Sequence, residues 1–231
     1  MKVLVIDVGG NHVKLATTEP RERASYQSGP RMTAASMVKQ STKAIAGWSY
    51  DAITLGYPGV VLGGRIAVEP HNLGGGWVGH DFKKSFGKPV KIVNDAAMQA
   101  LGSYQGGRML FLGLGTGLGS AMIVDGVLAP MELGHLPYRK GKSFEHYAGA
   151  DGLERLGKKK WRRFVTDIVE RLKKGLEVDY VVLGGGNARH LQTLPPATRL
   201  GDNSNAFDGG HRLWTDGKPA PDEDGGGREA P

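Results

Sequence analysis

Residues Leu112–Gly126 read LGLGTGLGSAMIVDG. Glycine occupies 113, 115, 117 and 119, every second position. A Walker loop needs G-x-x-x-x-G-K-[ST], and no Lys-Ser or Lys-Thr follows at that spacing. A dinucleotide fingerprint needs G-x-G-x-x-G opening a helix. Here the glycines lead into Ser120–Val124, an apolar run that ends in the turn dipeptide Asp125-Gly126. The stretch therefore predicts strand, turn, strand: Met109–Leu112, the glycine turn, Ser120–Val124, then a hairpin into Val127-Leu128. In such a turn, backbone amides and the Thr116 hydroxyl suit phosphate oxygens. A hairpin without a ligand would share the pattern.

The N-terminus repeats the unit. Val3–Ile6 reads as a buried strand, Asp7 ends it, Gly9-Gly10 turns the chain and His12–Thr18 returns. Two copies of one uncommon supersecondary unit point to an internal duplication. An acid beside a glycine turn also suits magnesium–phosphate chemistry. A third cluster, Gly184-Gly185-Gly186, follows the strand Tyr180–Leu183, and Asn187–Leu191 reads as the start of a helix, an arrangement suited to anions. Other predicted elements are a helix over Ala34–Trp48, strands Ala52–Leu55 and Val90–Val93, and a helix from Asn94-Asp95 through Tyr104. Over Lys158–Leu176, residues Trp161, Phe164, Val165, Ile168, Leu172 and Leu176 fall at helical spacing and read as core.

The 231 residues include 37 glycines and carry a formal net charge of +7. Lysine and arginine cluster at Lys83-Lys84, Lys88, Lys91, at Arg139-Lys140-Lys142, and at Lys158–Lys160 with Arg162-Arg163. A basic surface attracts polyanions, and each cluster also fits a solvated helix face. Aromatic residues are not interleaved as a base-stacking platform needs, so nucleic acid is not the expected partner. The chain has no cysteine, which excludes disulfides and thiolate-held zinc. No apolar run is long enough to span a membrane and no signal-peptide pattern is present, so the expected location is the cytoplasm.

The segments DVGGN (7–11), PGV (58–60), NDAA (94–97), GLGTGLGSAMIVDG (113–126), ELGH (132–135) and VVLGGGNA (181–188), in this order, resemble the ROK family of sugar kinases over roughly residues 1–214. Within the family the chain looks most like polyphosphate glucokinases. The resemblance implies an α/β architecture: a duplicated ribonuclease-H-like (actin-like ATPase) fold, two lobes with a central cleft. On that basis residues 1–107 form the N-terminal lobe, with 203–214 packing back on it. Residues 108–202 form the C-terminal lobe, and 215–231, rich in Pro, Gly and acids, form a disordered tail.

The resemblance also implies roles. Asp95 is the base that accepts the proton of the sugar 6-hydroxyl, although the same carboxylate suits an ordinary helix cap. Asn94, Glu132, His135 and Glu145 contact the sugar, since carboxylates and an amide satisfy hydroxyls directionally. Asn72 lines the same pocket, and Gly59 supplies a backbone contact. Asp7 is the magnesium-side acid. Gly9, Gly10, Asn11, Lys14, Thr116 and Gly117 hold donor phosphate, with Asn11 standing where the family commonly has Thr or Ser. Gly184, Gly185 and Gly186 cover adenosine if the donor is ATP. In many family members the histidine matching His135 is a zinc ligand beside cysteines. This chain has YRKGKSFEHY (138–147) in that region, so no structural zinc is expected. The implied ligands are glucose or a related hexose, Mg2+, and polyphosphate and/or ATP, with the donor left open; a homodimer is expected. The alternative is a non-catalytic sugar-binding regulator of ROK type. Such regulators carry an N-terminal helix-turn-helix, and a first strand starting at Lys2 leaves no room for one.

Overall fold

The apolar run VLVIDV has no exposed residue, as a strand covered on both faces requires. It forms β1 (Val3–Val8) of a computed structural model that describes residues 1–18, 21–202 and 204–215. β1 pairs antiparallel with β2 (His12–Thr17), which pairs with β3 (Arg23–Gln27). After α1 (Ala34–Ala44) the chain returns as β4 (Ala52–Tyr57), parallel to β1 with Val3 opposite Ala52. A small hairpin, β5 (Val61–Leu62) with β6 (Arg65–Ile66), and the short α2 (Phe82–Phe86) precede β7 (Val90–Asn94). The sheet order is β3-β2-β1-β4-β7.

The same plan then recurs. After α3 (Asp95–Ser103), β8 (Arg108–Leu114), β9 (Leu118–Val124) and β10 (Val127–Met131) form an antiparallel meander. Asp125 and Gly126 both take positive φ, 49° and 82°, the mirror-image turn that matches strand twist. A 3-10 turn at Leu133–His135, the hairpin β11 (Pro137–Arg139) with β12 (Lys142–Ser143), α4 (Phe144–Ala148) and the long α5 (Ala150–Leu176) follow. β13 (Tyr180–Gly184) and β14 (Thr198–Leu200) add in parallel, giving the order β10-β9-β8-β13-β14. In each sheet the first strand of a three-strand meander accepts a later parallel strand on its free side. That shared order is the duplication expected from the two glycine hairpins.

Each sheet has its own core. Leu4, Ile6, Leu15, Ile53 and Leu55 pack with Met37 of α1 in the first. Leu110, Leu112, Val181 and Leu183 pack with Trp161, Val165 and Ile168 of α5 in the second. The spacing of 161, 165, 168 and 172 puts one apolar stripe on α5, all four buried.

Some expectations shift in detail. α1 stops at Ala44 rather than Trp48, because Gly47 takes φ 88° and the chain turns there. Asn187–Leu191 contributes a single 3-10 turn at Ala188–His190, not a helix start. Compact packing divides the chain into Met1–Val93 with the segment from Leu213, and Asn94–Arg212. α3, assigned above to the first lobe, therefore belongs with the second sheet: Ala96 meets β9 at Gly119, where an added Cβ would lie 3.0 Å from the alanine methyl. α6 (Asn205–Thr215) packs on α3 through paired glycines. A Cβ on Gly102 would lie 1.8 Å from Asn205 O, and one on Gly209 1.8 Å from Met98 O. Leu213 and Trp214 belong to the first unit, where Lys91 Nζ donates to Leu213 O at 2.8 Å and Trp214 Nε1 to Thr54 at 2.9 Å. Apart from Thr215, the expected tail lies outside the described residues. Among them no helix is long and apolar enough to cross a membrane.

Candidate functional site

The β8–β9 turn is the hub of the second unit, and its glycines explain themselves by what approaches them. Leu114 O accepts the Asn187 N–H at 2.9 Å, and the Asn187 side-chain amide donates to Gly115 O at 3.0 Å. These bonds staple the Gly184–Gly186 turn to the β8–β9 turn. Gly185, at φ 82°, lies so close that a Cβ would fall 2.4 Å from Leu114 O. Thr116 O accepts the Ala150 N–H at 3.0 Å, tying the start of α5 to the same turn. The Thr116 side chain is exposed.

Glu145, on the short α4, reaches the other side of the hub. Its Oε2 accepts the Leu118 N–H at 3.0 Å and sits 2.3 Å from where a Gly117 Cβ would be. Glycine at 117 is therefore what admits the carboxylate. The ELGH turn arrives there too. Buried Gly134 lies against Leu118 O, at 2.7 Å from an added Cβ, and 3.5 Å from Glu145 Cβ. Glu132 and His135 flank that contact and are exposed. Buried Ser120 supports the segment, donating to Met131 O at 2.8 Å and accepting the Leu133 N–H at 3.0 Å.

Asn94 and Asp95 stand at the start of α3, beside the Ala96–Gly119 contact. Asn94 Oδ1 accepts the Ala97 N–H at 3.0 Å, so Asn94 is the helix cap. Asp95 is instead the first helical residue, with Oδ1 accepting the Ala96 N–H at 2.8 Å. The structure thus gathers Asn94, Asp95, Thr116, Gly117, Glu132, His135, Glu145 and Gly184–Gly186 around one turn or its immediate neighbours.

The first unit holds the remaining residues. Asp7 faces Lys14 across the β1–β2 pair, Oδ2 to Nζ 3.9 Å. Burial pushes the Asp7 carboxyl pKa up, and Lys14 pulls against that only in part. The turn Gly9–Asn11 closes with Gly9 N–H to His12 O at 2.9 Å. Ser28 braces it, donating from Oγ to Gly9 O at 2.6 Å and from its amide to Asn11 O at 2.9 Å. Gly59 folds against Tyr57, 2.8 Å from an added Cβ to the ring. Exposed Asn72 lies in a loop anchored by fully buried Trp77, whose amide donates to Glu69 Oε1 and Oε2 at 3.1 Å.

Among the described residues no group of three or more His, Cys, Asp or Glu could enclose a metal ion. Asp7 alone still fits Mg2+, which is commonly held by one or two carboxylates with water and substrate phosphate completing its shell. A buried carboxyl short of compensating charge is a suitable first ligand.

Sequence reasoning did not single out Asn187 or Ser120 for a role. Asn187 carried a signal, an amide directly after three glycines. Ser120 carried a weaker one, a hydroxyl at a core-facing position of an apolar strand. It also missed the clamp on the β11–β12 hairpin. There the Tyr138 hydroxyl donates to Asp167 of α5, and Arg139 and Arg171 donate to the same carboxylate at 3.2 and 2.9 Å. Burial works against the Asp167 charge, but the bonds from Tyr138, Arg171 and Arg139 outweigh it and lower its pKa.

A family model described as the ROK family matches residues 3–149. Polyphosphate glucokinase from Mycobacterium tuberculosis (strain CDC 1551 / Oshkosh) is 28% identical over 213 residues, covering 84% of this chain and 76% of the relative. Among solved structures, the inorganic polyphosphate/ATP-glucomannokinase from Arthrobacter sp. strain KM superposes with TM-score 0.74 at 24% identity, covering 90% of this chain and 96% of that one. A ROK family glucokinase from Streptomyces griseus, solved with glucose and AMPPNP, gives TM-score 0.75 at 17% identity, covering 94% and 100%. With a family model matching well over half of its length, the chain belongs to the ROK family.

Proposed function

We propose that this ROK-family sugar kinase transfers a phosphoryl group from polyphosphate or ATP to the 6-hydroxyl of glucose or a related hexose, with Asp95 as the general base. The supporting observation is the convergence on the β8–β9 turn of Glu145, the Glu132–His135 turn, the Gly184–Gly186 turn and the helix that begins at Asp95. The names of the relatives, polyphosphate glucokinase and polyphosphate/ATP-glucomannokinase, point to the same chemistry.

In this reading Asn94, Glu132, His135 and Glu145, with Asn72 and the backbone of Gly59, orient the hexose. Asp95 takes the proton as the hydroxyl oxygen forms its bond to the terminal phosphorus. The bond from that phosphorus to the bridging oxygen breaks, releasing ADP or a shortened polyphosphate. Phosphoryl transfer has a loose transition state, so the placement of the base matters more than its strength. Thr116, Gly117, Gly9, Gly10, Asn11 and Lys14 would bind the donor phosphates. Asp7 would hold Mg2+, which supplies charge neutralisation on those phosphates. Gly184–Gly186 would cover the adenosine of ATP. A cytoplasmic homodimer without zinc, and without a nucleic-acid or membrane partner, completes the reading; the Tyr138–Asp167 clamp gives the hairpin a metal-free support.

A coupled assay for glucose 6-phosphate, run with ATP and with long-chain polyphosphate at fixed glucose and Mg2+, tests the reading. Turnover with at least one donor is expected. Hexose binding without turnover with either donor would favour a sugar-binding regulator instead. Stoichiometric zinc by elemental analysis would refute the metal-free hairpin.

A further inference from the structure

The sequence KKKWRR at 158–163 buries only its tryptophan fully. Lys158, Lys159, Lys160 and Arg163 are exposed and Arg162 is half-buried. The backbone leaves helical geometry at Gly157 (φ 70°, ψ 157°), so the lysines open the helical segment that follows. Cations there oppose the positive end of a helix and repel one another. Among the described residues none of these five is ion-paired, so no carboxylate offsets the charge.

A second element brings more positive charge to the same place. The 3-10 turn Ala188–His190 carries exposed Arg189 and follows directly on the Gly184–Gly186 turn. Arg162 joins the two elements: its Nε donates to His190 O at 2.6 Å and its Nη1 to the Gln192 side chain. The guanidinium is therefore fixed before any ligand arrives. Lys158 precedes Arg162 by one turn of α5 and Arg189 adjoins His190, so the three cations gather at the contact Arg162 makes with His190 O; burial first, then Lys158, Arg189 and Arg162, push the His190 pKa down. Asn187 links that spot to the donor turn through its bonds to Leu114 and Gly115. Hydrogen bonds and chain neighbours thus connect the β8–β9 turn, through Asn187 and the Ala188–His190 turn, to Arg162 on α5, all within one unit.

We infer that Lys158, Arg162 and Arg189 form a distal anion track that holds the part of a linear inorganic polyphosphate lying beyond its transferred end. The inference rests on the donor reading above and adds to it a second contact region with its own residues. Charge complementarity selects the occupant. Polyphosphate carries negative charge along its whole length, whereas ATP ends in a neutral base and sugar that cannot use unpaired lysine and arginine.

The test uses the full chain and the double variant Lys158→Gln/Arg189→Gln, whose side chains are both exposed, with Arg162→Gln as a second variant. Kinetics at saturating glucose compare long-chain polyphosphate, tripolyphosphate and ATP. Fluorescence anisotropy reports binding of end-labelled polyphosphate across a salt series, independently of turnover. The double variant is expected to raise KM for long-chain polyphosphate about tenfold, to leave KM for tripolyphosphate and ATP within about twofold, and to flatten the salt dependence of binding. Equal changes for all three donors, or no change for any, would overturn the track. So would an RNA oligonucleotide that binds as tightly as polyphosphate and loses affinity equally in the variant. If no donor supports turnover, the donor reading fails separately, while anisotropy still decides whether the patch holds polyphosphate.

Discussion

Glu145 holds the β8–β9 turn and, in the proposed function, also contacts the hexose; substitution separates the two roles. Leu118 is 2% exposed, and in Glu145→Ala its N–H loses the acceptor it has here. An unsatisfied buried donor costs about 1–3 kcal/mol, and the charge on the lost acceptor pushes toward the upper end. A chain of this size loses roughly 2–4 °C of Tm per kcal/mol, so thermal unfolding should fall by about 2–12 °C. Glu145→Gln keeps an oxygen for Leu118 but drops the charge, so at least half of that loss should return. Glucose 6-phosphate kinetics then divide the roles. Glu145→Ala should raise KM for donor and hexose together. Glu145→Gln should restore the donor KM while the hexose KM stays about tenfold high, since a neutral amide is a weaker acceptor for sugar hydroxyls. An alanine variant with unchanged Tm and unchanged donor KM would refute the claim that this carboxylate holds the turn.

Other outcomes follow from the same geometry. Asp7→Asn should abolish Mg2+-dependent turnover yet raise Tm, because it removes a carboxylate whose charged form burial disfavours. The raised folded-state pKa means that this carboxyl's support for the fold is complete below its ordinary 3.8 and is lost as pH rises through the folded value. The Tm gain should therefore be largest near neutral pH and vanish in acid, and a gain independent of pH would count against the assignment. Gly185→Ala should lower Tm and raise donor KM. Its Cβ would meet Leu114 at 2.4 Å, and the φ of 82° adds about 1–2 kcal/mol of left-handed strain. Gly186→Ala, with nothing within 4 Å of its Cβ, is the matched control for stability and should leave Tm near that of the parent.

The period of the glycines at 113–119 was enough to separate a strand hairpin from a Walker or dinucleotide loop, and its second copy at Asp7–Lys14 pointed to the duplication. Both are local patterns, and the hairpin at the heart of each sheet was legible from them, whereas the edge strands β3 and β14 were not. What pattern could not carry was contact. Glu145 on Leu118 spans residues far apart in sequence, and only the fold shows why position 117 must lack a side chain. Asn94 and Asp95 are neighbours that both favour helix starts, and nothing local decides which one caps. The division of the chain at Val93 rather than at Gly107 rests on Ala96 meeting Gly119 and on the glycine-lined crossing of α3 with α6. Two small residues in separate segments do not announce that they touch.

The most direct test of the central claim is Asp95→Asn, read by glucose 6-phosphate formation alongside calorimetric hexose binding. The amide keeps an oxygen for the Ala96 N–H, so the helix start should survive. The account expects phosphoryl transfer to fall by at least about 10²-fold, the usual contribution of a positioned base, with hexose affinity within a few-fold of the parent. Near-normal turnover in Asp95→Asn would contradict it.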